Sequence, residues 1–309
     1  MKNKNPILIT GSHRSGTTWV GRTISQHHRV RYLHEPFNLN HTNQIMALKL
    51  DTWFSHYHSS NQKKEIYNFF NNLLYSSPPL KHAMKICVAA GMDIKTPLRF
   101  GKHFLLEFLL RPRILVKDPI ALLSAGWLHE TYNFKVIVMI RNPFAFVGSL
   151  KKAGWDFHFE NLRKQEGLMQ GWLNQFSDSV DAMCSNDSSW DIVDRAALLW
   201  NILHYVILDY QNQYPKWLFI KHEDIAMNPE SEFHKIFNYL GLDIDKQILR
   251  YIRKNTSQRN PKEAASPIYQ ARDSKASLDT WKKRLSEEEI ERVKITTSKI
   301  ASQFYGKIV

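Results

Sequence analysis

The 309-residue sequence predicts an α/β protein of three layers, with a parallel sheet of about five strands between helices and one helical insertion. Three observations predict it. Short apolar runs recur at residues 7–9, 30–33, 114–116, 135–140 and 217–220, each suited to a buried strand and too short for a helix. Helical stretches separate them, and strands that alternate with helices run parallel. Charged residues stand past the ends of four of the runs, at Arg14, Glu35, Lys117 and Arg141. Open parallel sheets bind ligands at that edge.

The first run leads into a turn bounded by Gly11 and Gly16, and from Thr17 the spacing becomes helical, with Trp19, Val20, Thr23 and Ile24 on one face. Strand, loop and helix start together make an oxyanion cradle, because loop amides and the positive helix end face one small volume. The segment departs from the Walker pattern G-x-x-x-x-G-K-[ST]. Residues 11–18 read G-S-H-R-S-G-T-T, so the lysine is absent and a cation, Arg14, stands inside the loop. An arginine fork there suits an oxyanion held without a metal; a turn of small residues with no ligand is the plainer alternative.

R-S-G-T-T-W at 14–19, after a short strand, resembles the 5′-phosphosulfate loop of sulfotransferases that use 3′-phosphoadenosine 5′-phosphosulfate, PAPS. Arg14 stands where cytosolic members carry Lys and where carbohydrate and tyrosylprotein members carry Arg. The block V-I-V-M-I-R-N-P-F-A-F-V-G-S at 136–149 resembles the family's 3′-phosphate motif, and V-K-D-P at 116–119 is similar to the K-D-P of the tyrosylprotein branch. The likeness is good over 7–37 and 114–150, loose over 217–241 and absent over 38–112.

The resemblance implies a P-loop-type fold in a single domain over 1–309, with 38–112 as a helical insertion capping the site. It implies PAPS as sulfuryl donor, PAP as product, no metal, and a hydroxyl or amine of a glycan or small molecule as acceptor. Arg14 and Lys117 would clamp the sulfate and 5′-phosphate above the amides of Ser15, Gly16, Thr17 and Thr18, while Arg141 and Ser149 would hold the 3′-phosphate. Glu35 falls where carbohydrate and tyrosylprotein members carry a glutamate and is the candidate base, with His34 as its local rival.

The remaining elements follow from local chemistry. Asp118-Pro119, Asn142-Pro143 and Asn228-Pro229 each set a capping side chain before a proline at the first helical position, and Gly241 closes the third of these helices. Residues 190–210 are apolar on most sides and predict a central buried helix whose aromatics belong to the core. Ser286 with Glu289 forms a capping box. Two stretches break the alternation. Residues 38–112 hold aromatic-rich helical pieces and a Ser-Ser-Pro-Pro break at 76–79, read as an acceptor cap or a structural helical subdomain. Residues 254–280 are polar and aperiodic; in the family such a loop closes over the nucleotide, often through R-K-G and a later W-K. Here Trp281-Lys282 is present and R-K-G is not, which leaves Arg272 and Lys275 as candidate contacts and a solvated loop as the alternative.

A net charge of +13 favours anionic ligands, and its spread along the chain, without a Lys/Arg block, reads against nucleic acid. Cys87 and Cys184 make no disulfide framework or zinc signature. Residues 1–6 are short and polar, and no apolar run nears the ~20 residues of a membrane span. Animal carbohydrate and tyrosylprotein enzymes are anchored in the Golgi; with no such anchor read in this sequence, the expectation is a soluble, bacterial-type cytoplasmic enzyme. Two other classes stay in view. A Mg-ATP nucleotide kinase shares the cradle but needs the missing lysine; a non-catalytic nucleotide or polyanion binder would keep Arg14 and Arg141 without needing Glu35. The oligomeric state is not legible.

Overall fold

The computed structural model describes residues 5–40, 47–75, 112–185, 190–263 and 271–306. Its sheet has five parallel strands, β1 (Ile7–Gly11), β2 (Val30–His34), β3 (Arg113–Lys117), β4 (Lys135–Ile140) and β5 (Leu218–Lys221), in the order β2-β3-β1-β4-β5. All five residues of β1 are buried. A central parallel strand is covered on both faces, which is why it reads as an unbroken apolar run.

Alternate residues feed two cores. Leu8, Val116, Val136 and Val138 pack with the helices Pro143–Ala153, Ile192–Gln213 and Glu287–Tyr305 on one face. Ile7, Ile9, Leu115, Ile137 and Met139 pack on the other against the helices Thr17–Ile24 and Pro229–Leu240, through Trp19, Val20, Phe233 and Ile236. Register then levels the strand ends. Ile9 and His34 both stand opposite Lys117, and Gly11 opposite Met139.

The central helix begins two residues later than the apolar pattern suggests, at Ile192, because Asp191 and Asp194 close a capping box there. Trp190 is left outside it, 38% exposed. Asn142 caps its helix by accepting from the amides of Phe144 and Ala145 at 3.0 and 3.3 Å. Asp118 caps a 3-10 turn, Pro119–Ser124, before the helix Ala125–Tyr132 starts. Asn228 departs from expectation. Its side chain makes no cap, and its amide donates to Asp224 at 2.9 Å, closing the preceding helix His222–Met227. The Ser286–Glu289 capping box forms as expected. Of the 38–112 stretch, the described part holds a 3-10 turn, Tyr57–Ser59, and the helix Lys63–Tyr75; 76–111, with the proline break and Cys87, lie outside the described residues. So do 264–270 of the polar 254–280 stretch. Cys184 is a half-buried free thiol.

Candidate active site

The carboxyl ends of the strands open onto a cavity of about 840 Å³. Arg14, Gly16, Thr17, Thr18, Glu35, Arg141, Ser149 and Arg272 line it. Ser15 lies under the loop, buried, its hydroxyl donating to the Ser12 carbonyl at 2.5 Å. Two of the cations expected around the ligand are not on its wall. Lys117 has no exposed surface and gives its ammonium to Glu35. Lys275 is exposed outside the cavity, because the neighbouring Ser274 turns inward to bond the Ala226 carbonyl at 2.8 Å.

Glycine is required at both ends of the loop. A Cβ on Gly11, at φ +128°, would strike the backbone of Met139 on β4. Gly16, at φ +89°, has the His222 Nδ1 2.6 Å from where its Cβ would stand. No side chain caps the helix that begins at Thr17, so its first amides remain directed at the cavity. Arg14 and Glu35 both hold left-handed backbone, φ 62° and 44°. Such conformations cost of order 1–3 kcal/mol and cluster at functional sites.

The cations are braced. Arg14 Nε donates to Ser149 Oγ at 3.1 Å, and Arg141 donates to the Arg14 carbonyl. The central helix holds the Arg141 backbone in turn. Trp200 Nε1 donates to its carbonyl at 2.8 Å, and His204 Nε2 stands 3.5 Å from its amide while stacking on Trp200. Glu223 accepts from the Asn142 amide and from the Tyr305 hydroxyl, both at 3.0 Å. Burial, with Arg14, Arg272 and Arg284 nearby, lowers Arg141 to about 10 against the pull of Glu223, so it stays charged at neutral pH. Burial and the same kind of crowding by Arg141 and Arg272 hold His222 far below its ordinary value, as a neutral ring.

Several polar atoms around this cavity are buried without a protein partner among the described residues: Trp19 Nε1, Arg141 Nε, Arg284 Nε and His13 Nδ1. Buried polar groups are nearly always bonded. Their convergence on one cationic cavity, beside uncapped helix amides, fits a ligand rich in oxyanion and other polar atoms.

Glu35 follows β2 directly and lines the same cavity. Its amide continues the ladder to the Lys117 carbonyl at 2.8 Å, which sets its side chain beside the Lys117 ammonium. Oε2 accepts from Asn38 Nδ2 at 2.6 Å and lies 3.9 Å from His34 Nε2. Burial alone would raise this carboxyl; Lys117 first, then His34 and Asn38, hold it below its ordinary value. His34 itself is half exposed.

Sequence reasoning passed over other lining residues, notably His13, Trp53, Trp155, His222 and Arg284. His222 follows β5 directly and obeys the strand-end rule that marks Arg141. Trp281 of the W-K pair stacks on Phe144 at 4.9 Å, which pins the C-terminal segment to the helix carrying Ser149 and brings Arg284 to the cavity. Trp53 and Trp155 meet only through the tertiary fold, and no local pattern marks them.

Carbohydrate sulfotransferase 1 of Danio rerio is 21% identical to the chain, over 99% of it and 79% of the relative. The protein of the same name from Homo sapiens is 22% identical, over 93% and 75%. The sulfotransferase domain from the curacin biosynthetic pathway superposes with a TM-score of 0.52 at 17% identity, covering 100% of both chains, a likeness of fold alone. The relatives correct the cytoplasmic expectation, since carbohydrate sulfotransferase 1 proteins are Golgi membrane enzymes. A polar start to the sequence was too thin a basis for a compartment. No described helix is long and apolar enough to cross a membrane, and that alone assigns none. The sulfotransferase domain family matches from residue 4 to residue 304, a span that takes in the whole sheet and the cavity lining, so the chain belongs to that family and is a sulfotransferase.

Proposed function

We propose that this enzyme moves the sulfuryl group of PAPS in line to a hydroxyl, or amine, of a carbohydrate acceptor, with Glu35 as the base. One observation carries the reading. Among the described residues lining the cavity, Glu35 is the single acid, and it shares that lining with Arg14, Arg141, Arg272 and Arg284. A polyanion binder would have no use for an ionised carboxylate there. A P-loop kinase would want a lysine where Thr17 stands.

PAPS, when bound, supplies a sulfuryl group already attached to a phosphate leaving group. Arg14 and the amides of residues 16–18 would hold the sulfate and 5′-phosphate, and Arg141 with Ser149 the 3′-phosphate. Arg14, kept in place by Ser149 Oγ, meets the charge that grows on the leaving oxygen. Lys117 takes a different role from the expected clamp: it keeps Glu35 ionised and aimed. Glu35 then accepts the acceptor's proton. The names of the relatives support a carbohydrate acceptor. We also read 1–309 as one domain with 38–112 as an insertion capping the site, although 41–46 and 76–111 of it lie outside the described residues.

The test is incubation with sulfur-labelled PAPS and a panel of glycans, lipids, phenols and peptides, alongside calorimetry of PAP and of Mg-ATP without added protein partners. The reading predicts label in glycans and metal-independent PAP binding. Tighter binding of Mg-ATP than of PAP, with no label transferred, contradicts it.

A further inference from the structure

Trp155 is 40% exposed, and it leaves the end of the Pro143–Ala153 helix to line the cavity that Ser149 also faces. Trp53 reaches the same wall from the 47–75 segment, its amide donating to Asn161 Oδ1 at 3.0 Å. The two indoles meet edge to face, with centroids 6.4 Å apart at 86°. His13 backs the corner. Its ring lies 5.0 Å from Trp155, 4.9 Å from Phe146 and 5.8 Å from Phe54. It is 6% exposed, and its Nδ1 has no protein partner among the described residues. Burial lowers His13 to about 3, with Arg14 adding to the fall and Glu35 opposing it. The ring is therefore neutral, and it sits within reach of the charges of both groups assigned to transfer.

We propose that Trp53, Trp155 and His13 form the acceptor subsite, a corner that stacks one pyranose ring of a glycan and directs its hydroxyl to Glu35. The inference rests on the sulfotransfer reading above and names the part of the site that chooses the acceptor. A pyranose offers an apolar C–H face and a rim of hydroxyls. The indole faces suit the first, and Asn38, His34 and Lys152 on the same cavity suit the second. His13, neutral and packed behind Trp155, adds no charge to the corner that would draw the nucleotide into it.

The test uses full-length Trp53→Ala, Trp155→Ala and Trp155→Phe proteins beside the unaltered chain. PAP affinity is read by calorimetry. With PAP saturating, saturation-transfer NMR reports contact with oligosaccharides ending in galactose, N-acetylglucosamine or N-acetylgalactosamine, and acceptor KM is measured for whichever takes label. Each alanine should raise that KM about tenfold, the order of one lost ring contact, and abolish transfer to sugar C–H protons. Phenylalanine should restore most of it, with PAP affinity unchanged throughout. Unchanged acceptor binding in both alanine variants overturns the subsite, as does a parallel loss of PAP affinity, which would make the corner a nucleotide shelf. Label passing only to phenols or peptides also overturns it but leaves sulfotransfer standing. Failure of the unaltered chain to bind PAP removes the underlying reading and the subsite with it.

Discussion

Lys117 and Glu35 form an ion pair across the ends of β3 and β2, with the lysine wholly buried and the glutamate 17% exposed at the cavity wall. The parallel register that sets His34 opposite Lys117 makes this pairing, since the next residue, Glu35, turns back in left-handed backbone toward the ammonium. A buried charge without a partner is expensive, so each residue depends on the other. The cation read from the sequence as a ligand clamp is buried and paired with the carboxylate proposed as the base.

Replacing Lys117 with Met removes the cation and keeps the burial. Glu35 should then rise past its ordinary carboxyl value, because burial, the largest influence on it, now outweighs what His34 and Asn38 supply. Turnover needs the ionised form, so the acid limb of the pH–rate profile should shift to higher pH. The stability sign follows. In the unaltered protein the depressed carboxyl contributes stability above its unfolded value, lost as pH falls through the lower folded value. In Lys117→Met the sign reverses, and the protein should be less stable at pH 7 by about 3 kcal/mol and recover part of that on acidification. Thermal melts at pH 7 and pH 5 check this; an unshifted limb and an unchanged melt would show that the pair matters to neither.

Gly16→Ala should hurt binding and fold together. The backbone is left-handed there, and the new methyl would push on His222, 2.6 Å away. We expect a loss of about 1–2 kcal/mol in stability and weaker PAP binding, because the helix start and His222 both move. Calorimetry and thermal unfolding on the same preparation check it.

Arg141→Ala should weaken PAP by about 2–3 kcal/mol, the range of a charge-assisted hydrogen bond, and weaken adenosine 5′-phosphosulfate, which lacks the 3′-phosphate, much less. Some loss with both ligands is expected, since Arg141 also supports the Arg14 carbonyl. Equal loss with both would move the 3′-phosphate to another group, with Arg272 next in line.

Much of this architecture is legible from residues alone, for identifiable reasons. Parallel strands announce themselves because both faces are buried, as in Ile7–Gly11 and Lys135–Ile140, and the residues past their ends share one edge by topology. What escapes is whatever depends on which strands become neighbours. Lys117 reads as a free cation until β2 is seen beside β3. Lys275 and Arg272 look equivalent in a polar loop, and only packing sends one to the cavity and the other to solvent. Trp53 and Trp155 lie 102 positions apart by their numbering (155 − 53), in loops without periodicity. Asn228 shows the local limit. Asn-Pro fits a cap, but its backbone was already committed to ending the helix before it.

The central claim is that Glu35 accepts the acceptor's proton, and Glu35→Gln tests it most directly. The amide keeps the shape and the Asn38 contact region while removing the basicity. Single-turnover transfer on folded protein should fall by about a hundred- to ten-thousand-fold, while the PAP dissociation constant stays within a few-fold. Near-normal transfer in Glu35→Gln would contradict the account and pass the base to His34.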